Sequence, residues 1–155
     1  MQTHFNFRRP LPKQGALLEI LKKMSVFQAK LTIVSATLTP AQITKELAQA
    51  ATFSKAIGDP KPGNNSVHEK SLWILHFGEE REEALQLLQE RFLHFVGLNK
   101  GVLSQLATTP DTAIYLTIIA AYSGFHMGLV LTTEEIALLA EARVALDFNV
   151  SVEDD

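Results

Sequence analysis

Alternation of apolar and polar side chains is the clearest pattern in this chain, and it predicts four long strands. Over residues 26–37 one set of alternate positions is suited to a core: Phe27, Ala29, Leu31, Ile33 and Ser35. The same period of two recurs over residues 67–77, 113–122 and 146–152. In the third strand both sets of alternate positions are largely apolar, which is typical of a strand in the interior of a sheet.

Three helices are predicted between these strands. Thr39 is an N-cap residue followed by proline at the first helical position, so a helix is predicted over residues 39–50. Gly78, Glu79 and Glu80 place acids where the helix dipole favours them, which predicts a second helix beginning at Gly78 and ending near residue 97. Residues 132–135 form a cap with acidic side chains in the first turn and predict a third helix.

Two connections are less regular. Residues 98–106 fit either a shorter helix or a loop, and residues 129–131 fit a short strand. The predicted order is strand, helix, strand, helix, strand, short strand, helix, strand, without internal repeats. The fold class that buries these faces most economically is α+β: a single-domain, two-layer sandwich in which helices pack on a mostly antiparallel sheet.

The first 23 residues are predicted to form an arm outside the domain, which spans residues 24–155. Prolines favour extended backbone over residues 8–12, and a short amphipathic helix is predicted over residues 15–23. This helix can pack on the domain as an ordinary N-terminal helix, or the arm can be an accessory segment that follows an alternative start at Met24.

Composition and charge exclude several classes of function. The net charge of -3 supplies no global positive field for a phosphate backbone, so nucleic acid is not expected as a main partner. The chain has no cysteine, which excludes thiolate chemistry and fits a cytoplasmic protein. Residues 113–131 carry no charged side chain, but Gly124 and Gly128 and the strand-forming residues around them favour two strands over a membrane span.

Several separated segments together resemble the uncharacterised bacterial domain family DUF4279. They are residues 58–63 (GDPKPG), residues 71–73 (SLW), residues 128–131 (GLVL) and residues 146–149 (LDFN). The resemblance covers about residues 24–152 and is carried by the order and spacing of the segments. It implies a compact bacterial α+β domain in the cytoplasm, and it implies no activity, cofactor or catalytic residue. The chain departs from the family pattern before Gly58, near Arg143 and at Asn149.

The candidate binding residues fall into two groups. Asp59 and Lys61 lie in a loop that glycine and proline stiffen, which suits recognition at a low cost in ordering entropy, although the same residues can serve only to shape the entry to a strand. The second group would line a pocket between the sheet and this loop: Trp73, Tyr115, Tyr122 and His126. For Trp73 the competing interpretation is a core side chain.

No catalytic motif, metal-ligand pattern or cofactor signature is expected from the sequence. The leading hypothesis is therefore a non-enzymatic protein-binding module, of the kind in which an immunity or antidote protein occludes a bacterial toxin. A small-molecule sensor or weak enzyme with a pocket near Trp73 and His126 is the first alternative. The second is a structural homo-oligomer, such as a homodimer joined through the N-terminal arm.

Overall fold

A computed structural model describes residues 26–63, 65–81, 84–122 and 129–152, with the side chains of residues 122, 151 and 152 excepted. The elements, in chain order, are β1 (Val26–Ser35), α1 (Pro40–Leu47), β2 (Phe53–Lys55), β3 (Ser71–Arg81), α2 (Leu85–Leu106), β4 (Thr112–Tyr122), α3 (Thr133–Glu141) and β5 (Ala145–Val152). The described strands form one sheet in the order β2-β3-β1-β4-β5. All pairs are antiparallel except β4 with β5. The predicted single-domain α+β fold is confirmed.

The alternation predicted for β1 separates the two faces of the sheet. Phe27, Ala29, Leu31, Ile33 and Ser35 are buried, and the residues between them are half-buried. The helices pack on the buried face, where α2 lies over β1 and β3 and α3 lies near β5. The core between sheet and helices contains the fully buried side chains of Trp73, Phe27, Phe92, Leu31 and Leu88.

Local signals explain where α1 and α3 begin. Thr39 accepts a hydrogen bond from the backbone N–H of Gln42, and the Gln42 side chain accepts one from the Thr39 N–H. Thr132 and Glu135 form the same reciprocal pair at α3. Both capping boxes satisfy backbone donors that the first turn leaves without partners, so these two predicted starts are confirmed.

The helix predicted to begin at Gly78 is wrong at both ends. Residues 78–81 continue β3, where they pair with residues 26–29 of β1, and α2 begins only at Leu85. Glu79 and Glu80 are therefore strand residues: Glu79 accepts a hydrogen bond from Gln28, and Glu80 pairs with Arg91. Tertiary pairing with β1 overrides the local preference of acids for a helix start. At its other end α2 runs on through Gly97 to Leu106.

A bulge in β3 accompanies this correction. Ala29 pairs with Gly78 and Lys30 pairs with His76, which leaves Phe77 without a directly opposite residue on β1. Gly78 has a φ of 103°, a conformation that side chains with a Cβ rarely adopt. The Arg91 side chain donates a hydrogen bond to the Phe77 carbonyl at 2.8 Å and so satisfies an acceptor that the bulge displaces.

Two other predictions and one unpredicted element complete the comparison with the structure. The prediction of a short strand over residues 129–131 is wrong, because these residues have no regular secondary structure. The three-residue strand β2 was not predicted. Residues 1–23, with their predicted helix, lie outside the described residues.

Candidate functional site

The face of the sheet opposite the helices, called the open face below, is the candidate functional site. Its side chains form rows across the strands, because the register aligns them. One row is mostly apolar and runs from β2 to β5: Phe53, Ile74, Thr32, Tyr115 and Ala145. The next row is polar and runs from β3 to β5: His76, Lys30, Thr117 and Asp147. In the described part of the chain, no helix covers this face.

A cavity of about 490 Å³ lies on the open face over β1, β4 and β5. It is lined by Lys30, Thr32, Tyr115, Thr117, Ala145, Leu146, Asp147 and Asn149. Thr117 forms its floor and is only 5% exposed, between a cation on β1 and a carboxylate on β5. The cavity can therefore offer charged partners of both signs beside the half-exposed phenol ring of Tyr115.

The charges in this cavity are not neutralised by each other. Lys30 and Asp147 are each in register with Thr117, so one strand lies between them. Neither forms an ion pair among the described residues, and the Asp147 carboxylate accepts a hydrogen bond from Asn149 at 3.3 Å. Both charges thus stay available to a bound group, which is how a site provides orientation as well as contact area.

Trp73 and Tyr115 lie on opposite faces of the sheet. Trp73 pairs with Ile33 and is completely buried under the helices, where its indole N–H donates to the Thr44 hydroxyl at 3.0 Å. Tyr115 pairs with Thr32 on the open face. The two side chains cannot line one pocket, because the sheet lies between them. The core interpretation of Trp73 is the one that fits its position.

The loop that contains Asp59 and Lys61 is ordered by its own hydrogen bonds. The Asp59 carboxylate accepts from the Ala56 N–H at 2.7 Å, and the Lys61 N–H donates to the Ser66 carbonyl. Pro60 and Val67 form an isolated antiparallel bridge. The Asp59 side chain thus shapes the loop it was predicted to present. It also lines a groove of about 580 Å³ beside the start of α1, which shares no residue with the cavity that contains Tyr115.

Residues 24–153 match the family described as a domain of unknown function, DUF4279. The protein belongs to the DUF4279 family. The match spans every described strand and helix, from β1 to β5. No curated protein and no solved structure matches the chain.

The other two predicted site residues of this DUF4279 domain, Tyr122 and His126, have no described side chain. His126 falls in residues 123–128, and only the backbone of Tyr122 is described. Among the described residues, no group of three or more His, Asp or Glu side chains could hold a metal ion. None of the helices in the described ranges is long and apolar enough to cross a membrane.

Of the eight residues that line the cavity of this DUF4279 domain, the sequence indicates Tyr115 alone, and the polar residues it does not indicate include Lys30, Asp147 and Asn149. Each was assigned to the polar side of a predicted strand, where charged residues are ordinarily solvated. The signal that they belong together is the register of β4 with both β1 and β5, which brings residues 30, 117 and 147 into one row. The register between strands that are far apart in the chain cannot be recognised from the sequence of any one strand.

Proposed function

We propose that this DUF4279 domain is a non-enzymatic protein-binding module whose partner docks on the open face. The observation that carries the proposal is the extent of that face, with exposed aromatic side chains on it. Five strands at about 4.8 Å spacing span about 19 Å, and β1 extends for about 33 Å. Phe53 is 46% exposed and Tyr115 is 40% exposed. Aromatic residues are enriched at protein interfaces because they bury a large area with few rotatable bonds.

The charge of the domain supports a basic partner, such as a nuclease toxin that an immunity protein would occlude. Residues 1–23 contain five of the fourteen basic residues and one of the seventeen acidic residues, so residues 24–155 carry a formal charge of -7. A field of this sign speeds encounter with a basic protein and disfavours acidic ones. The lack of cysteine supports a location in the reducing cytoplasm, where such a toxin would act.

Co-expression with the toxin encoded beside its gene tests this function. We expect the protein to restore growth and to co-purify with the toxin. Tyr115→Ala and Phe53→Ala should weaken both effects, because they remove the exposed aromatic area. Leu98→Ala is the matched control, since Leu98 is 73% exposed on α2 in the helical layer. If all three variants form the complex equally well, the interface does not lie on the open face. If no toxin gene lies beside the gene of this protein, the immunity role is excluded.

The cavity favours a second candidate function, the binding of a small charged molecule. Its volume of about 490 Å³ lies in the range of ligand pockets, and Lys30 and Asp147 supply fixed charges at its two sides. Thermal unfolding in the presence of single amino acids and dicarboxylates tests this candidate. If a compound stabilises the wild type and Lys30→Ala or Asp147→Ala abolishes this stabilisation, the result supports a sensor. If none of these compounds stabilises the protein, only the protein-binding function remains.

A further inference from the structure

The outer edge of β5 is one of the two edges of the described sheet. β5 is the last strand of the sheet, and no described strand pairs with its outer side. At eight residues it offers an edge about 26 Å long. Phe148 is 44% exposed and Val150 is 48% exposed, although both are in register with buried residues of β4 on the helical side. A long strand edge with exposed apolar side chains is a template for pairing with another strand.

Helix α3, which contacts β5, also carries an exposed apolar side chain. Glu135 contacts Gln89 of α2, and Leu138 lies against Gly97 of the same helix. Ile136 is about 100° from Glu135 and about 160° from Leu138 around the helix axis, so it points away from α2. It is 55% exposed. α3 contacts β5, so this exposed isoleucine lies at the same end of the fold as the β5 edge.

The sequence of β5 is complementary to itself. We propose that a second copy of this chain occupies the edge, with the two β5 strands antiparallel about a twofold axis that passes through Phe148. Phe148 then meets the same residue of the other copy, and Leu146 meets Val150 on the helical side. On the open side Asp147 meets Asn149, which can donate a hydrogen bond to the carboxylate. In this register, residues that lie opposite each other project from the same side of the sheet, so that apolar side chains meet apolar ones.

Two of the neighbouring registers are less favourable. An axis through Asp147 would place two carboxylates opposite each other, which destabilises a strand pair. A slip of one residue between the copies would set Phe148 against the polar side of the other strand. The dimer has a continuous ten-stranded sheet with both helical layers on one side and both open faces on the other. This assembly goes beyond the proposed partner binding and differs from a dimer joined through the N-terminal arm.

Charge pairing at Phe148 tests the proposal. We expect the wild-type chain to show a concentration-dependent dimer in sedimentation velocity. Phe148→Lys alone and Phe148→Glu alone should each be monomeric, because like charges meet across the axis. An equimolar mixture of the two variants should restore the dimer. Leu98→Lys, on the exposed side of α2, should dimerise as the wild type does. Far-ultraviolet circular dichroism of each variant verifies that it is folded.

Single cysteines give an independent measure of register, because the chain has none of its own. Side chains directly opposite each other in an antiparallel pair have Cβ atoms about 4.5–5.5 Å apart. Under mild oxidation Phe148→Cys should therefore cross-link to a covalent dimer many times faster than Val150→Cys, whose two copies lie four residues apart. A wild-type chain that stays monomeric up to its solubility limit, or equal cross-linking at the two positions, would overturn the proposal. Either result leaves partner binding on the open face untouched.

Discussion

Replacement of Gly78 by alanine separates the observed strand from the helix that the sequence favours at this position. If Gly78 were the first residue inside a helix, alanine would be neutral or stabilising there, and if Gly78 were the N-cap, alanine would cost at most about 1 kcal/mol. In the structure, a Cβ on Gly78 would lie 2.8 Å from Nη1 of Arg91, and φ is 103°. The strained backbone costs about 1–3 kcal/mol. Displacement of Arg91 costs about 0.5–1.5 kcal/mol more, because the Phe77 carbonyl loses its donor.

The expected loss of unfolding free energy is therefore about 1.5–4.5 kcal/mol for Gly78→Ala. Gly101→Ala is the matched control: Gly101 lies inside α2 with nothing within 4 Å of an added Cβ, so the variant should gain about 0.5–1 kcal/mol. Urea unfolding followed by circular dichroism measures both changes. In an Arg91→Ala background the contact part of the Gly78→Ala cost should disappear and the backbone part should remain. Wild-type stability of Gly78→Ala would refute the strand and its bulge.

Three further changes test single hydrogen bonds in the core and at the helix starts. Thr44→Val should cost about 1–3 kcal/mol in urea unfolding because it leaves the buried Trp73 indole N–H without an acceptor, and the cost should vanish in a Trp73→Phe background. Ser35→Ala should cost about 1–3 kcal/mol because the buried Ser35 hydroxyl accepts the Leu38 N–H at 3.0 Å, and a thermal midpoint equal to the wild type would contradict this role. Thr132→Ala should cost about 0.5–2 kcal/mol through loss of the α3 cap, seen as faster amide exchange in the first turn.

Sequence reasoning was reliable where a local signal decides the structure. The alternation in residues 26–35 and the capping residues Thr39 and Thr132 act within a few residues of themselves, so they could be recognised without the fold. Gly78 shows the opposite case. Gly78 and the two acidic residues that follow it locally favour a helix start, and only their pairing with β1 keeps them in a strand. The three residues of β2 are too few for a period to be detected.

The candidate site was only partly predictable for the same physical reason. Tyr115 is expected from the sequence to line a pocket, and the structure places it in the cavity on the open face. Its predicted neighbour Trp73 lies across the sheet, because residues on different strands share a face only if their register matches. Lys30 and Asp147 are separated by more than a hundred residues, so their shared row depends on two strand pairings.

The open face and the β5 edge are coupled through two residues. Asp147 and Asn149 belong to the cavity and would also meet across the twofold axis of the dimer, whereas Phe148 between them points to the helical side. If the dimer forms in this register, a ligand or partner that binds the Asp147 carboxylate is expected to change the dimerisation constant, and dimerisation then changes its affinity by the same factor. Phe148→Lys removes the dimer without altering the cavity lining. If binding on the open face has the same affinity in this variant and in the wild type, the two surfaces act independently and the shared residues contribute to only one of them.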